Sequence, residues 1–189
     1  MFAELLVERI GSVVELTPIQ VSQLDEHFKL MIRWNKVLNL TAIRDAELIV
    51  ERHYCESLFL GKHLPSGPLN IVDVGSGAGF PGIPLAIQRT DCSVALVESH
   101  QRKSVFLMEA TRELGNVRVI SKRVEEMGEA FDWAVSRGVS FGEIEGCLRN
   151  VTGNVALLAG EESPSARFTW NRIKLPWGNH RFLWIHRST

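Results

Sequence analysis

One stretch constrains this chain more than any other: Asn70-Ile-Val-Asp-Val-Gly-Ser-Gly-Ala-Gly-Phe-Pro-Gly82. Residues 70–74 form a short apolar run with Asp73 inside it, the pattern of a buried strand. Gly75, Gly77 and Gly79 follow at alternate positions. With no Cβ and with positive φ allowed, such a turn lets the backbone come close to a ligand. Pro81 suits the first turn of a helix, where its missing N–H costs nothing, and Ile83-Pro84-Leu-Ala-Ile87 carries the helix on. Strand, glycine turn and helix N-terminus in that order make a nucleotide cradle.

The dinucleotide fingerprint G-x-G-x-x-G starts at Gly75 and Gly77, but its third glycine falls at position 80, which is Phe80. The spacing here is D-x-G-x-G-x-G, which resembles that of S-adenosylmethionine-dependent methyltransferases. An acidic ribose ligand then belongs at the end of the next strand, and Ser93-Val-Ala-Leu-Val-Glu98 supplies Glu98 there. A merely structural turn is the competing reading of a lone glycine motif. The strand before it and Glu98 after it favour the ligand.

Elsewhere the pattern is that of an α/β chain. Phe2, Leu5, Leu6, Ile10 and Val13 recur at helical spacing. Thr17-Pro18-Ile19-Gln20 is a capping box with proline at the first helical position. Val21, Leu24, Phe28, Met31 and Leu38 give the helix that follows an apolar stripe, and Asn35 falls on it. A third helix is expected from near Asp45 to about Leu60. Pro65-Ser-Gly-Pro68 breaks the chain, so residues 1–65 are expected to form a helical N-terminal cap and 66–189 the main domain. Strands are expected at 70–74, 93–98, 117–120, 131–135, 153–159, 167–175 and 181–187, the first five alternating with helices. That alternation means a parallel sheet with helices on both faces. The last two strands, joined by Pro176-Trp-Gly-Asn-His180, look like an antiparallel hairpin. The expected fold is a seven-stranded, doubly wound, Rossmann-like sheet of the methyltransferase type.

With 189 residues, 45% of them hydrophobic, the chain has room for one globular domain and a small appendage. No apolar run reaches membrane-spanning length, and no basic region precedes the apolar residues of the N-terminus. Cys55, Cys92 and Cys147 are scattered and in no metal spacing, as expected of reduced thiols in a cytoplasmic protein that holds no metal. The net charge of −1 argues against indiscriminate coating of nucleic acid, so a polyanion site must be local. Residues 161–189 carry five basic and two acidic side chains, against an acidic excess elsewhere.

Several methyl acceptors are excluded. Enzymes acting on exocyclic amines carry a [DNS]-P-P-[YFW] stretch, and no two prolines are adjacent here. Those acting on pyrimidine C5 need a cysteine nucleophile, often after a proline, and none of the three cysteines follows one. Acceptors with a free lone pair, such as guanine N7, or those needing only a side-chain base, remain. Guanine N7 has no proton to lose, so its methylation needs alignment and charge stabilisation rather than a general base.

Arg33-Trp-Asn-Lys-Val-Leu-Asn-Leu-Thr-Ala-Ile-Arg-Asp45, Arg52-His53, Glu56-Ser57, the glycine stretch through Gly82-Ile-Pro84, Arg123-Val-Glu125 and Ser136-Arg137 together resemble the RsmG (GidB) family. These are bacterial small-subunit rRNA guanine-N7 methyltransferases, and the resemblance spans about residues 20 to 160. It implies an S-adenosylmethionine donor and a guanosine of 16S rRNA, free or in an assembling small subunit, as acceptor. A monomer acting in the cytoplasm is expected, without a membrane partner. By the same resemblance Asp73, Gly75, Gly77, Gly79 and Phe80 line the donor's methionine end, Glu98 holds its ribose, and Val124 and Glu125 flank its adenine. Asn39, His53 and Arg137 face the reaction pocket. Arg44, Arg123 and Arg137 meet the RNA, and the locally basic C-terminal segment adds Lys174 and Arg181 as expected RNA contacts. On a regular helix Arg52, His53 and Glu56 fall within about 100° of one another. Glu56 stands where the family usually has Asp, and Ala159-Gly160 where it often has Lys-Gly. Two other readings compete: an NAD-dependent oxidoreductase on the same sheet type, against which Phe80 speaks, and a non-catalytic RNA-binding relative. Trp170, Trp177 and Trp184 could offer a base-stacking platform, but packing in the core and hairpin is their commoner use.

Overall fold

The computed structural model describes residues 1–142, 145 and 151–188. Thr17 caps the long second helix as the sequence implies: its side chain accepts from the Gln20 N–H, and the Gln20 side chain accepts from the Thr17 N–H. The helices are α1 (Phe2–Ile10), α2 (Pro18–Leu38), α3 (Ala46–Ile49), α4 (Glu56–His63), α5 (Gly82–Gln88) and α6 (Gln101–Ala110). A π-helical segment, Val50–Cys55, joins α3 to α4, so the expected third helix is present but wider in its middle. The strands are β1 (Asn70–Val74), β2 (Ser93–Val97), β3 (Val117–Ile120), β4 (Trp133–Arg137), β5 (Val155–Ala159), β6 (Asn171–Lys174) and β7 (Phe182–His186). They form one sheet in the order β3-β2-β1-β4-β5-β7-β6. The first five strands are parallel, and β7 runs antiparallel between β5 and β6.

The two-residue period of the strands sorts their side chains onto two faces. Ile71, Val94, Leu96, Trp133, Val135, Ala156, Leu158, Leu183 and Ile185 enter one apolar cluster, which also takes residues of all six helices or their flanks. The N-terminal helices thus pack through Phe2, Leu6, Leu24, Met31 and Tyr54 into the same core as the sheet. Val72, Val74, Ala95, Val97, Ala134, Val155, Leu157 and Trp184 face the other way, under Val124, Phe131, Phe141, Val151, Phe168 and Trp170. The long connections here hold a short 3-10 helix, Val124–Glu126, and the start of a helix at 141–142. The strand order switches direction between β1 and β4, which leaves a crevice at the carboxyl ends of the parallel strands.

The three tryptophans are packed. Trp177 and Trp184 are buried, Trp184 donates to the Gly160 carbonyl, and Trp170 donates to the Ser165 carbonyl. Cys55 and Cys92 are buried free thiols, and Cys147 lies outside the described residues. No helix among the described residues is long and apolar enough to cross a membrane, and no group of three or more metal-ligating side chains occurs among them.

Candidate methyl-donor and RNA site

The turn after β1 is built around positive φ: 71° at Gly75, 56° at Gly77 and 86° at Gly79. At Gly79 a Cβ would lie 2.3 Å from Ile83 Cδ1, so only glycine lets α5 close onto the turn. At Gly77 a Cβ would meet nothing nearer than the Gly75 carbonyl at 3.9 Å, so the backbone there borders open space. The Gly77 N–H donates to Glu98 Oε2 at 2.9 Å, and the other oxygen of Glu98 accepts from the His100 N–H at 2.8 Å. Val74, Gly75, Val97, Glu98, Ser99, Lys122, Arg123, Val124, Glu125 and Val139 line one cleft of about 300 Å³. That volume lies at the lower end of ligand pockets. Gly75, Glu98, Arg123, Val124 and Glu125 therefore share one cavity, with Gly77 joined to it through Glu98. Larger clefts lie between α2 and α6 and at the amino ends of β1, β2 and β3.

Asp73 is fully buried on the helix-covered face, where Oδ2 accepts from the Gly82 N–H at 3.0 Å and Oδ1 has no partner. Burial pushes its carboxyl up to about 7, against the opposing pull of the Gly82 hydrogen bond. The Phe80 side chain points away from the cleft. Its ring is buried beneath the turn, stacked on His53 at 4.6 Å and edge-on to Tyr54 and His27. Its side chain shapes the turn from below and does not line the cleft.

His53 comes from the π-helical segment. Its Nε2 lies 2.8 Å from Thr41 Oγ1, and Thr41 is itself held by both amide groups of the buried Asn35. Burial first, then the charge of Arg137, pushes His53 down to about 3, so it is neutral at physiological pH and a poor base. Asn39 caps α2 in the left-handed region (φ 47°), with its side chain exposed and unbonded among the described residues. It is Asn35 that carries the buried amide.

The five positions expected to meet RNA divide. Arg44, Arg123 and Lys174 are exposed and in no ion pair among the described residues. Arg181 is committed elsewhere: it holds the fully buried Glu56 with two hydrogen bonds, 3.0 Å from Nε and 2.7 Å from Nη2. Arg137 also faces Glu56, at 3.6 Å. Sequence reasoning did not include Lys122, which lines the cleft beside Arg123, or His27, which holds the glycine turn from below. Lys122 was signalled by its position just past the third strand. His27 gave no signal, because its partner Ala78 lies 51 residues away.

A family model, rRNA small subunit methyltransferase G (GidB), matches residues 20–162. Ribosomal RNA small subunit methyltransferase G of Chromobacterium violaceum is 45% identical over 131 residues, which cover 67% of this chain and 62% of the relative. Its namesake from Nitrosomonas europaea is 46% identical over 123 residues, 63% of this chain and 56% of the relative. The chain thus matches about three fifths of the length of these curated relatives. Among solved structures, a methyltransferase from Pyrococcus furiosus shares the fold with a TM-score of 0.59 at 16% identity, covering 87% of this chain and 98% of that one. TrmK of M. capricolum, solved with S-adenosylhomocysteine, has a TM-score of 0.53 at 12% identity and covers 70% of this chain and 67% of its own. Motif, sheet order and matched residues agree: the chain belongs to the rRNA small subunit methyltransferase G (GidB) family.

Proposed function

We propose that this chain transfers a methyl group from S-adenosylmethionine to N7 of a guanosine in small-subunit (16S) rRNA. The observation that carries the reading is the cleft at the carboxyl end of β1 and β2, where the open backbone at Gly77 and the carboxylate of Glu98 lie beside Lys122 and Arg123. The residues fit the donor. Gly75 and Gly77 border the methionine end, Asp73 and Gly79 shape the turn beneath it, Glu98 accepts from the ribose hydroxyls, and Val124 and Glu125 flank the adenine. Arg44, Arg123 and Lys174 meet RNA phosphates. S-adenosylmethionine, when bound, supplies an electrophilic methyl on a sulfonium. The protein's part is to align the acceptor and keep the site dry, since a free N7 lone pair needs no base. A His53 held neutral fits a positioning part better than proton transfer. The rRNA substrate places the activity in the cytoplasm, and one copy of the chain carries every group invoked. An oxidoreductase reading is disfavoured because position 80 holds a buried phenylalanine in place of the third glycine.

Tritiated methyl transfer to deproteinised 16S rRNA and to 30S particles, followed by N7-specific cleavage, tests the reading. Label at a single N7 is the expected result. Absence of label from both substrates would leave the non-catalytic RNA-binding alternative. Glu98→Ala is expected to weaken S-adenosylhomocysteine binding by about 1–3 kcal/mol, measured by calorimetry. Parent-like affinity would remove Glu98 from the donor site.

A further inference from the structure

The two ring nitrogens of His53, a residue only 4% exposed, stand in unlike surroundings. Nε2 meets Thr41 Oγ1 at 2.8 Å, whereas Nδ1 is buried with no hydrogen-bond partner among the described residues. Which nitrogen carries the proton of this neutral ring follows from counting donors and acceptors at Thr41. The Thr41 N–H donates to Asn35 Oδ1 at 2.9 Å, and the Thr41 carbonyl accepts from Asn35 Nδ2 at 3.1 Å. One buried side chain on α2 thus fixes the Thr41 backbone on both sides. Thr41 Oγ1 already accepts from the Ile43 N–H at 3.1 Å. Its hydroxyl hydrogen has one acceptor among the described residues, His53 Nε2. Thr41 therefore donates to Nε2, and the ring proton sits on Nδ1. The other tautomer leaves the hydroxyl without an acceptor and Nδ1 without a donor, two losses in place of one.

What remains is a buried N–H with nothing to accept from it. Phe80 offers only the face of its ring, stacked at 4.6 Å and 13° from parallel. Arg137, the first charge to act on His53, cannot serve either, because a guanidinium only donates. The missing partner is an acceptor atom that arrives with the substrate. On guanine, O6 lies beside N7 on the same edge and only accepts, whereas adenine presents an amino donor there. A hydrogen bond to O6 also leaves the N7 lone pair free for the methyl.

We propose that Thr41, held by Asn35, is a positioning residue that keeps His53 in its Nδ1–H form, and that this N–H reads O6 of the acceptor guanine. The guanine rests on the methyl-transfer reading above, whereas the tautomer rests on the hydrogen bonds alone. Two arms test the proposal in the full chain. In the first, 15N-histidine labelling and two-bond proton–nitrogen correlation show which ring nitrogen carries the proton. The His53 signals, among those of six histidines, are the ones lost in His53→Gln. A protonated Nδ1 is expected in the parent and in Thr41→Ser, which keeps the hydroxyl. A mixture of both tautomers is expected in Thr41→Val, where nothing selects between them. In the second arm, single-turnover methyl transfer is compared for RNA with guanine, hypoxanthine or 2-aminopurine at the position that takes the label. Hypoxanthine keeps O6 and 2-aminopurine lacks it. The parent and Thr41→Ser should use hypoxanthine about as fast as guanine and slow by about tenfold or more on 2-aminopurine, a preference that Thr41→Val should largely lose. Comparing that preference between proteins cancels the intrinsic difference between the bases. A parent whose His53 carries its proton on Nε2 overturns the proposal, as does a parent that methylates 2-aminopurine as fast as guanine; both results hold even where Thr41→Val does not fold. A folded Thr41→Val protein that matches the parent in both arms removes Thr41 from the role. A parent with the expected tautomer that methylates no RNA overturns the functional reading alone, because the first arm needs no methyl transfer.

Discussion

Asp73 shows how a single residue can be legible in type and hidden in state. Its place in the motif is plain from the spacing, yet its burial on the helix-covered face depends on α5 packing above it. The folded pKa of about 7 lies above the ordinary carboxyl value, so between about pH 4 and 7 the folded chain keeps a proton that the unfolded chain has lost. Stability contributed by that proton is present at low pH and is lost as pH rises through the folded pKa, by up to about 1.4 kcal/mol per pH unit. Asp73→Asn cannot titrate. In urea melts from pH 4.5 to 8.5, the parent is expected to lose stability relative to Asp73→Asn up to about pH 7, with a constant gap above it. A gap that is flat throughout would mean that Asp73 is ionised across the range. Glu98 was legible for the same reason as Asp73, since both stand at fixed offsets from the glycines. Arg181 was not, because the Glu56 that claims it is 125 residues away and no local pattern records the pairing.

Among the elements, strand positions were legible because the period-2 apolar runs are bounded by glycine, proline and polar residues. The π-helical segment was not, since Val50–Cys55 has an ordinary helical composition and its wider turn comes from packing. That segment presents Tyr54 to α2, where a chain of two hydrogen bonds reaches the glycine turn. The Ala78 carbonyl can only accept, so His27 Nε2 donates to it at 3.0 Å. Burial pushes His27 down to about 4, leaving it neutral, so Nδ1 must accept from the Tyr54 hydroxyl at 2.9 Å. One helix and the π-helical segment thus position the backbone between Gly77 and Gly79. His27→Leu strands the Ala78 carbonyl and the Tyr54 hydroxyl in an apolar setting and is expected to weaken S-adenosylhomocysteine binding about tenfold. Tyr54→Phe leaves the contact with Ala78 in place and should cost less than about threefold. Calorimetric titration of both variants checks the order, and parent-like affinity in His27→Leu would mean that the turn holds its shape unaided.

Across the whole molecule, a net charge of −1 conceals a sorting of charge that only the fold reveals. Away from the carboxyl ends of the parallel strands, several cations are paired: Arg9 with Glu47 and Glu51, Lys29 with Asp25, Arg89 with Asp91, Arg112 with Glu113, and Arg118 with Glu129. At that end, Arg102, Lys122, Arg123 and Lys174 are exposed and have no ion pair among the described residues, with Glu125 and Glu126 as the nearby acids in sequence. Composition summed along the chain cannot separate these groups, because paired and unpaired cations alternate in sequence. A paired arginine such as Arg118 has already exchanged its counterions for a carboxylate, whereas an unpaired one releases them on meeting a phosphate. Replacing both Lys122 and Arg123 by alanine should therefore lower the slope of log affinity for rRNA against log salt by about 1.4–1.8. Arg118→Ala, beside Glu129 toward the amino ends of the strands, should leave the slope at the parent value. Because Arg123 also lines the donor cleft, the titrations are run with S-adenosylhomocysteine saturating, so that any loss of donor affinity does not enter the slope. Equal slopes for the parent and the double variant would move the RNA off the β2–β3 end of the sheet. A lowered slope for Arg118→Ala would show that the amino ends of the strands, too, meet phosphates, and that its ion pair opens when RNA arrives.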